Sequence, residues 1–281
     1  MLKLCYLIAF FLLFNSCADK PLTEEMYISD TDSGTFMEIQ LKMSMTDSII
    51  TTTVKKIDSL ILVEGDIIIG NLNKMKIGPQ GAYIGNGKKW PNNTIPYVIE
   101  ANHPGRGNIL NAINTITNST NLNLVPKNSS HRNWVVFLNR GGCASYVGNQ
   151  GIGGQPIFSQ CHTIVGKIIH EILHASGIYH EHTRRDRDSF VKINLMNVKP
   201  EAVSNFTQYL YSDPAGRDCG NYDYGSIMHY GEYFFSINRS TLKTIEIKIP
   251  PGTNSTRIGQ RNGLSTNDIN CVNMLYPSTS L

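Results

Sequence analysis

His170-Glu171-Ile172-Leu173-His174-Ala175-Ser176-Gly177-Ile178-Tyr179-His180 is the stretch that decides most about this chain. The i, i+4 spacing of His170 and His174 puts both imidazoles on one face of a helix, with Glu171 beside the first. Ile164, Val165, Ile168, Ile169, Ile172 and Leu173 make this segment too apolar for a solvated helix. Its His and Glu side chains must therefore be paired or coordinated. Three imidazole nitrogens converging at about 2.1 Å, with a fourth position left open, form a zinc site. One helical face supplies only two of them. The chain must turn back to deliver His180, and Gly177 suits that turn because it adopts positive φ without steric penalty. With eight His and ten Glu in 281 residues, H-E-x-x-H alone would arise by chance about 0.008 times.

Three histidines and an open position describe a catalytic zinc rather than a structural one, since structural sites fill all four positions from the protein. Glu171 follows a ligand on the same helix, which sets its carboxylate beside the open position as a general base. That arrangement suits amide hydrolysis.

The run H-E-x-x-H-x-x-G-x-x-H resembles the metzincin zinc-peptidase motif. Its continuation, His180-Glu181-His182-Thr183-Arg184-Arg185-Asp186-Arg187-Asp188, is similar to the astacin family in particular. Ser226-Ile227-Met228-His229-Tyr230 resembles that family's Met-turn, and Cys143-Ala144-Ser145-Tyr146-Val147-Gly148 with Cys161 resembles the segment ahead of the zinc helix. The likeness runs from about Trp90 to Tyr276. Ile178 departs from it, standing where Phe is usual. The resemblance implies an α+β metzincin-like fold: a twisted sheet with the zinc helix in the upper half, and an irregular lower half closed by a C-terminal helix. It implies one Zn2+ per chain on His170, His174 and His180, with Glu171 as general base and Met228 as an apolar floor. Tyr230 matches a weak ligand that swings away to donate to the oxyanion, and Glu181 matches the residue that receives the new N-terminus after activation. Cys143 and Cys161 stand where the family has a disulfide; Cys219 and Cys271 remain as a second pair.

Met1 to Ser16 carries one Lys and an apolar run from Leu4 to Phe14, too short to span a bilayer and readable as a signal peptide. Two processing readings stay open. Phe14-Asn15-Ser16-Cys17 resembles a bacterial lipobox with Cys17 as the lipidated residue, implying a bacterial surface lipoprotein. Ser16-Cys17-Ala18 also fits small-x-small cleavage and free secretion. Both imply export. The four remaining cysteines, an even number, suit an oxidising compartment.

The net charge of +3 hides an asymmetry. Residues 18–76 hold ten acidic and six basic side chains, and residues 77–281 hold twelve and eighteen. An acidic leader ahead of a basic domain suggests an inhibitory pro-segment that docks by charge. Ala18 to Ser48 reads as a linker. Leu60-Ile61-Leu62-Val63-Glu64-Gly65-Asp66-Ile67-Ile68-Ile69 instead resembles the astacin pro-segment motif, in which the Asp occupies the open zinc position. A plain Gly-Asp turn between two strands is the alternative. The expected organisation is thus signal 1–17, pro-segment or linker 18–80, and catalytic domain 81–281, with activating cleavage near Gly81 and basic sites at Lys74 and Lys76. Ile109, Leu110, Ala112, Ile113 and Ile116 mark a helix between two strands, and Ser265 with Asp268 caps the last helix.

The function expected from all this is a zinc endopeptidase, exported and made latent, acting on protein or peptide substrates as a monomer. Ser145-Tyr146-Val147 would form the cleft rim, and a basic residue near the primed side, for which Arg239 is one candidate that sequence does not place, would favour acidic side chains after the scissile bond. No nucleic-acid motif or membrane span is present, so Cys17 offers the only membrane attachment. A binding module that kept this fold without catalysis is the second class, and a convergent amidohydrolase the third.

Overall fold

The computed structural model describes residues 27–31, 34–42, 49–71, 89–208, 218–248 and 257–278. Strands alternating apolar and polar residues build the upper half of the catalytic region. They are β6 (Thr94–Ile99), β7 (Asn123–Pro126), β8 (Trp134–Leu138), β9 (Cys143–Tyr146) and β10 (Gly154–Ser159). On β8, Val135 and Phe137 turn inward and their neighbours do not, the period of two expected of a half-buried strand. Helix α1 (Arg106–Ser119) crosses between β6 and β7, which pair in parallel. Its buried Ile109, Ala112, Ile113 and Ile116 form the face that the 3–4 spacing predicts. Helix α2 (Val165–Ser176) packs against α1, and Ile168, Ile169, Ile172 and Leu173 join Ile95, Val135, Phe137 and Ile157 in the main core.

The lower half is irregular, as expected. It holds short 3-10 turns, a small pair β11 (Val191–Ile193) and β12 (Ile245–Ile247), and helix α3 (Thr266–Leu275). A second core of Val191, Phe206, Tyr222, Tyr230 and Ile245 stabilises it. Ser265 caps α3 by accepting from the Asp268 N–H, and the Asp268 carboxylate accepts from the Ser265 N–H in return. Both expected disulfides are present: Cys143–Cys161 (Cα–Cα 5.8 Å) and Cys219–Cys271 (5.6 Å). The second ties the segment before the Met-turn to α3.

The leader corrects one expectation. Part of the stretch read as a linker forms strands β1 (Tyr27–Thr31) and β2 (Gly34–Lys42). With β3 (Ile49–Ile57), β4 (Leu60–Val63) and β5 (Ile67–Asn71) they make an antiparallel meander. β1 pairs with β2 inside this stretch, while β2 takes its other partner, β3, from beyond it, and local composition does not carry that second pairing. The meander continues the catalytic sheet. Strand β5 pairs in parallel with β9 (Ile67 with Ser145, Ile68 with Tyr146), giving the order β1-β2-β3-β4-β5-β9-β10-β8-β6-β7. Leu62 and Ile68 bury against Ala144, Tyr146 and Phe158; full burial of each such side chain is worth about 1.5–3 kcal/mol. The signal segment 1–17 with Cys17, the boundary near Gly81, and Lys74 and Lys76 lie outside the described residues. Among the described residues no helix is long and apolar enough to cross a membrane.

Candidate metal centre

Helix α2 ends where the sequence says it must. Gly177 takes φ 119°, ψ 10° as the left-handed cap, and its N–H bonds back to the Leu173 and His174 carbonyls. The other terminal carbonyls of α2 also find partners: Trp90 Nε1 donates to Ala175 (2.7 Å) and Tyr276 Oη to Ser176 (2.7 Å). The helix end is thus satisfied inside the core, and the reversal carries His180 back over His170 and His174.

The three Nε2 atoms converge. His180 Nε2 lies 3.2 Å from His170 Nε2 and 3.2 Å from His174 Nε2. Each ring's other nitrogen has an acceptor: Ile227 O for His170 (2.9 Å), Ile178 O for His174 (2.8 Å), and the Glu64 carboxylate for His180 (2.5 Å). Those contacts place the N–H on Nδ1 and leave lone pairs at all three Nε2 atoms. Three buried lone pairs facing one another at this distance repel unless a cation sits among them. Tetrahedral zinc with N ligands at about 2.1 Å would set them about 3.4 Å apart, so this donor set fits the ion. Burial holds the His170 imidazole down at about 4 and His174 well below its usual value, which keeps both neutral as ligands must be. Burial would lower His180 too, but the Asp66 and Glu64 carboxylates outweigh it and raise the ring to about 9. A bound cation would displace any proton from His180 Nε2, and the same two carboxylates favour that positive charge.

Asp66 faces this cluster. Its Oδ2 is 3.3 Å from His170 Nε2, and its Oδ1 is 3.3 Å from His180 Nε2 and 3.8 Å from His174 Nε2. Asp66 and the three histidines form the metal-competent group among the described residues. Asp66 sits in the turn of the β4–β5 hairpin, so Gly65-Asp66 forms a turn whose carboxylate also faces the three histidines. Gly65 has φ +79°, and a Cβ there would come within 2.7 Å of Phe235 Cζ. The Asp66 carbonyl accepts from the Ser145 N–H (2.8 Å), which joins the turn to the expected cleft rim.

Glu171 is buried on the same helix, and its Oε2 lacks a hydrogen-bond partner. Burial first, then the Asp66 charge, push its carboxyl well above the ordinary range. Tyr230 is buried with its ring 4.7 Å from that of His180, and its hydroxyl donates to the Glu64 carbonyl. Met228 lies in the main core. Ser226 Oγ and the Ile227 N–H both bond to Asp268 (2.7 and 2.9 Å), so α3 braces the turn whose Ile227 carbonyl orients His170. Glu181 accepts from the Asp223 N–H (2.7 Å), and burial pushes its carboxyl up to about 8. A cleft lined by Tyr222, Asp223, Ser265 and Asn267 adjoins it. Arg184 chelates Asp186 and donates to the Cys219 and Gly220 carbonyls, so it braces this loop.

Two site residues escape a reading of the sequence. Glu64 stands beside Gly65 and Asp66 without a motif role of its own, although a carboxylate inside an apolar hairpin is itself a signal that it has a partner. Arg261, half-buried and donating to the His229 carbonyl (3.0 Å), is the cation whose field reaches Glu171 and Asp66, whereas Arg239 is exposed.

Fold and site together define a metzincin-type metal-site protein. Residues 83–277 match the peptidase family described as Astacin, and the chain belongs to the astacin family. It is 37% identical over 205 residues to Blastula protease 10 of Paracentrotus lividus, covering 69% of this chain and 33% of that protein. To Zinc metalloproteinase nas-4 of Caenorhabditis elegans it is 36% identical over 222 residues, covering 76% and 68%. The chain thus spans about a third of the sea-urchin relative's length. High choriolytic enzyme 1, a hatching-enzyme zinc protease of Oryzias latipes, superposes with TM-score 0.58 at 34% identity, covering 67% of this chain and 92% of that one. These relatives are animal proteins and give no support to a bacterial source.

Proposed function

We propose that this chain is a zinc endopeptidase, synthesised latent and exported, that cuts peptide bonds in protein substrates. The observation that carries the reading is that His170 and His174 each bring Nε2 to 3.2 Å from His180 Nε2, with the buried carboxyl of Glu171 on the same helix as the first two. Zinc bound there would polarise the scissile carbonyl and acidify the attacking water. Glu171 takes that water's proton and returns it to the leaving amine. Tyr230, once released from Glu64, donates to the oxyanion. Met228 keeps the floor apolar, and His170, His174 and His180 keep their Nε2 atoms aimed by their Nδ1 contacts. Asp66 maintains latency by holding its carboxylate where the water would be. Removal of the leader near Gly81 frees the site, and the new amino group pairs with Glu181. An extended substrate peptide would then add to β9 in the place β5 now fills, which is β-augmentation.

The disulfides support export. Retention by a lipid on Cys17 is a finer form of that reading, and action as a monomer accompanies it. A silent binding module is the alternative; the presence of His170, His174, His180, Glu171 and Tyr230 in the sequence supports the enzyme reading over it. The test uses zinc-loaded chain cut near residue 81 on a quenched peptide. Glu171→Gln should keep zinc and lose roughly 10²–10⁴-fold in kcat. Near-normal turnover would refute the base, and an inert, zinc-filled wild type would favour the binding module.

A further inference from the structure

We propose that Glu64 is a positioning residue for the third metal ligand. It clamps His180 from behind, so the uncut chain holds its metal more tightly than a chain without the clamp. The inference rests on reading His170, His174 and His180 as the zinc site.

The three ligands are not oriented alike. His170 and His174 donate from Nδ1 to the backbone carbonyls of Ile227 and Ile178, both in the catalytic region, and these contacts persist whatever happens to the leader. His180 donates from Nδ1 to a side chain of the leader, the Glu64 carboxylate at 2.5 Å. Glu64 is 1% exposed, far from any position a carboxylate takes without compensation. Its Oε1 has no partner, so His180 is the contact that justifies the burial. Its backbone is held in place as well. The N–H donates to Asn205 Oδ1 (2.9 Å), the carbonyl accepts from Tyr230, and φ is +53°, a left-handed conformation that a non-glycine residue adopts only under constraint. Asp66, two residues on, reaches the opposite nitrogen of the same ring. One hairpin turn therefore grips His180 at both nitrogens. A carboxylate behind a ligating imidazole fixes its tautomer and strengthens it as a donor, and losing such a partner weakens metal binding roughly 10- to 100-fold. Cleavage of the leader would leave His180 as the one ligand without its observed rear contact.

The experiment measures zinc transfer from full-length protein to a chelating dye in wild type, Glu64→Gln and Glu64→Ala. Glu64→Gln keeps the shape and an acceptor but removes the charge; Glu64→Ala removes the clamp. Release should quicken about tenfold in Glu64→Ala, and a similar acceleration in Glu64→Gln would assign the effect to charge. Acceleration in Glu64→Ala alone still supports the clamp and assigns it to the hydrogen bond. Wild-type release rates in both variants, with near-ultraviolet circular dichroism showing native packing, would overturn the proposal and make Glu64 only an anchor of the hairpin. The zinc-site reading fails separately, if wild-type chain takes up no zinc. The latency reading also fails separately, if uncut and cut chains hydrolyse peptide equally.

Discussion

Tyr230 has its hydroxyl on the Glu64 carbonyl and its ring stacked 3.8 Å from that of His182. Burial, then the Asp66 and Glu64 charges, hold its phenol well above its usual value, so it stays protonated and able to donate. The contact with Glu64 exists only while the hairpin is seated, and the freed hydroxyl is then a donor without a fixed acceptor. Tyr230→Phe in the cut chain should therefore lower kcat by roughly 10²-fold and leave KM nearly unchanged, since an oxyanion donor acts in the transition state. Steady-state kinetics on one peptide would check this, and a change confined to KM would assign Tyr230 to substrate binding instead.

Among the elements, α3 acts on a site it never touches. Asp268 is its N3 residue, and the carboxylate that completes the capping box also receives Ser226 Oγ and the Ile227 N–H. Ile227 in turn offers its carbonyl to His170 Nδ1, so the helix start, the Met-turn and a ligand form one chain of hydrogen bonds. Asp268→Ala should cost about 1 kcal/mol in stability through the lost cap and weaken zinc binding about tenfold through the loosened ligand. Chelator competition and thermal unfolding measure the two effects. A lower melting temperature with unchanged zinc affinity would show that the cap and the ligand are uncoupled.

For the whole molecule, the leader and the catalytic region share one sheet, and β5 covers the strand edge that a substrate would need. The proposed latency would then have two parts, an occupied edge and Asp66 facing the three histidines. Uncut wild type should be inactive on a quenched peptide and Asp66→Ala slightly active. Chain cut near residue 81 should be fully active once the leader has left. Equal activity in all three would reduce residues 18–80 to a tether.

Residue order alone makes legible the three histidines that converge, the turn at Gly177, the faces of α1 and α2, and the cap of α3, and it nominates Glu171 as the proposed base. Each of these depends on residues within a few positions of one another, where helical period and backbone sterics act directly. The motif around Asp66 marks that residue too. Only the folded chain reveals that β1 and β2 are strands, that the leader meander adds to β9, that Glu64 stands behind His180, that Asp268 reaches Ile227, and that Arg261 rather than Arg239 lies beside the site. Those facts rest on pairings between residues as far apart as Glu64 and His180. Strand pairing and buried charge contacts depend on what the partner segment presents, and no local pattern carries that information.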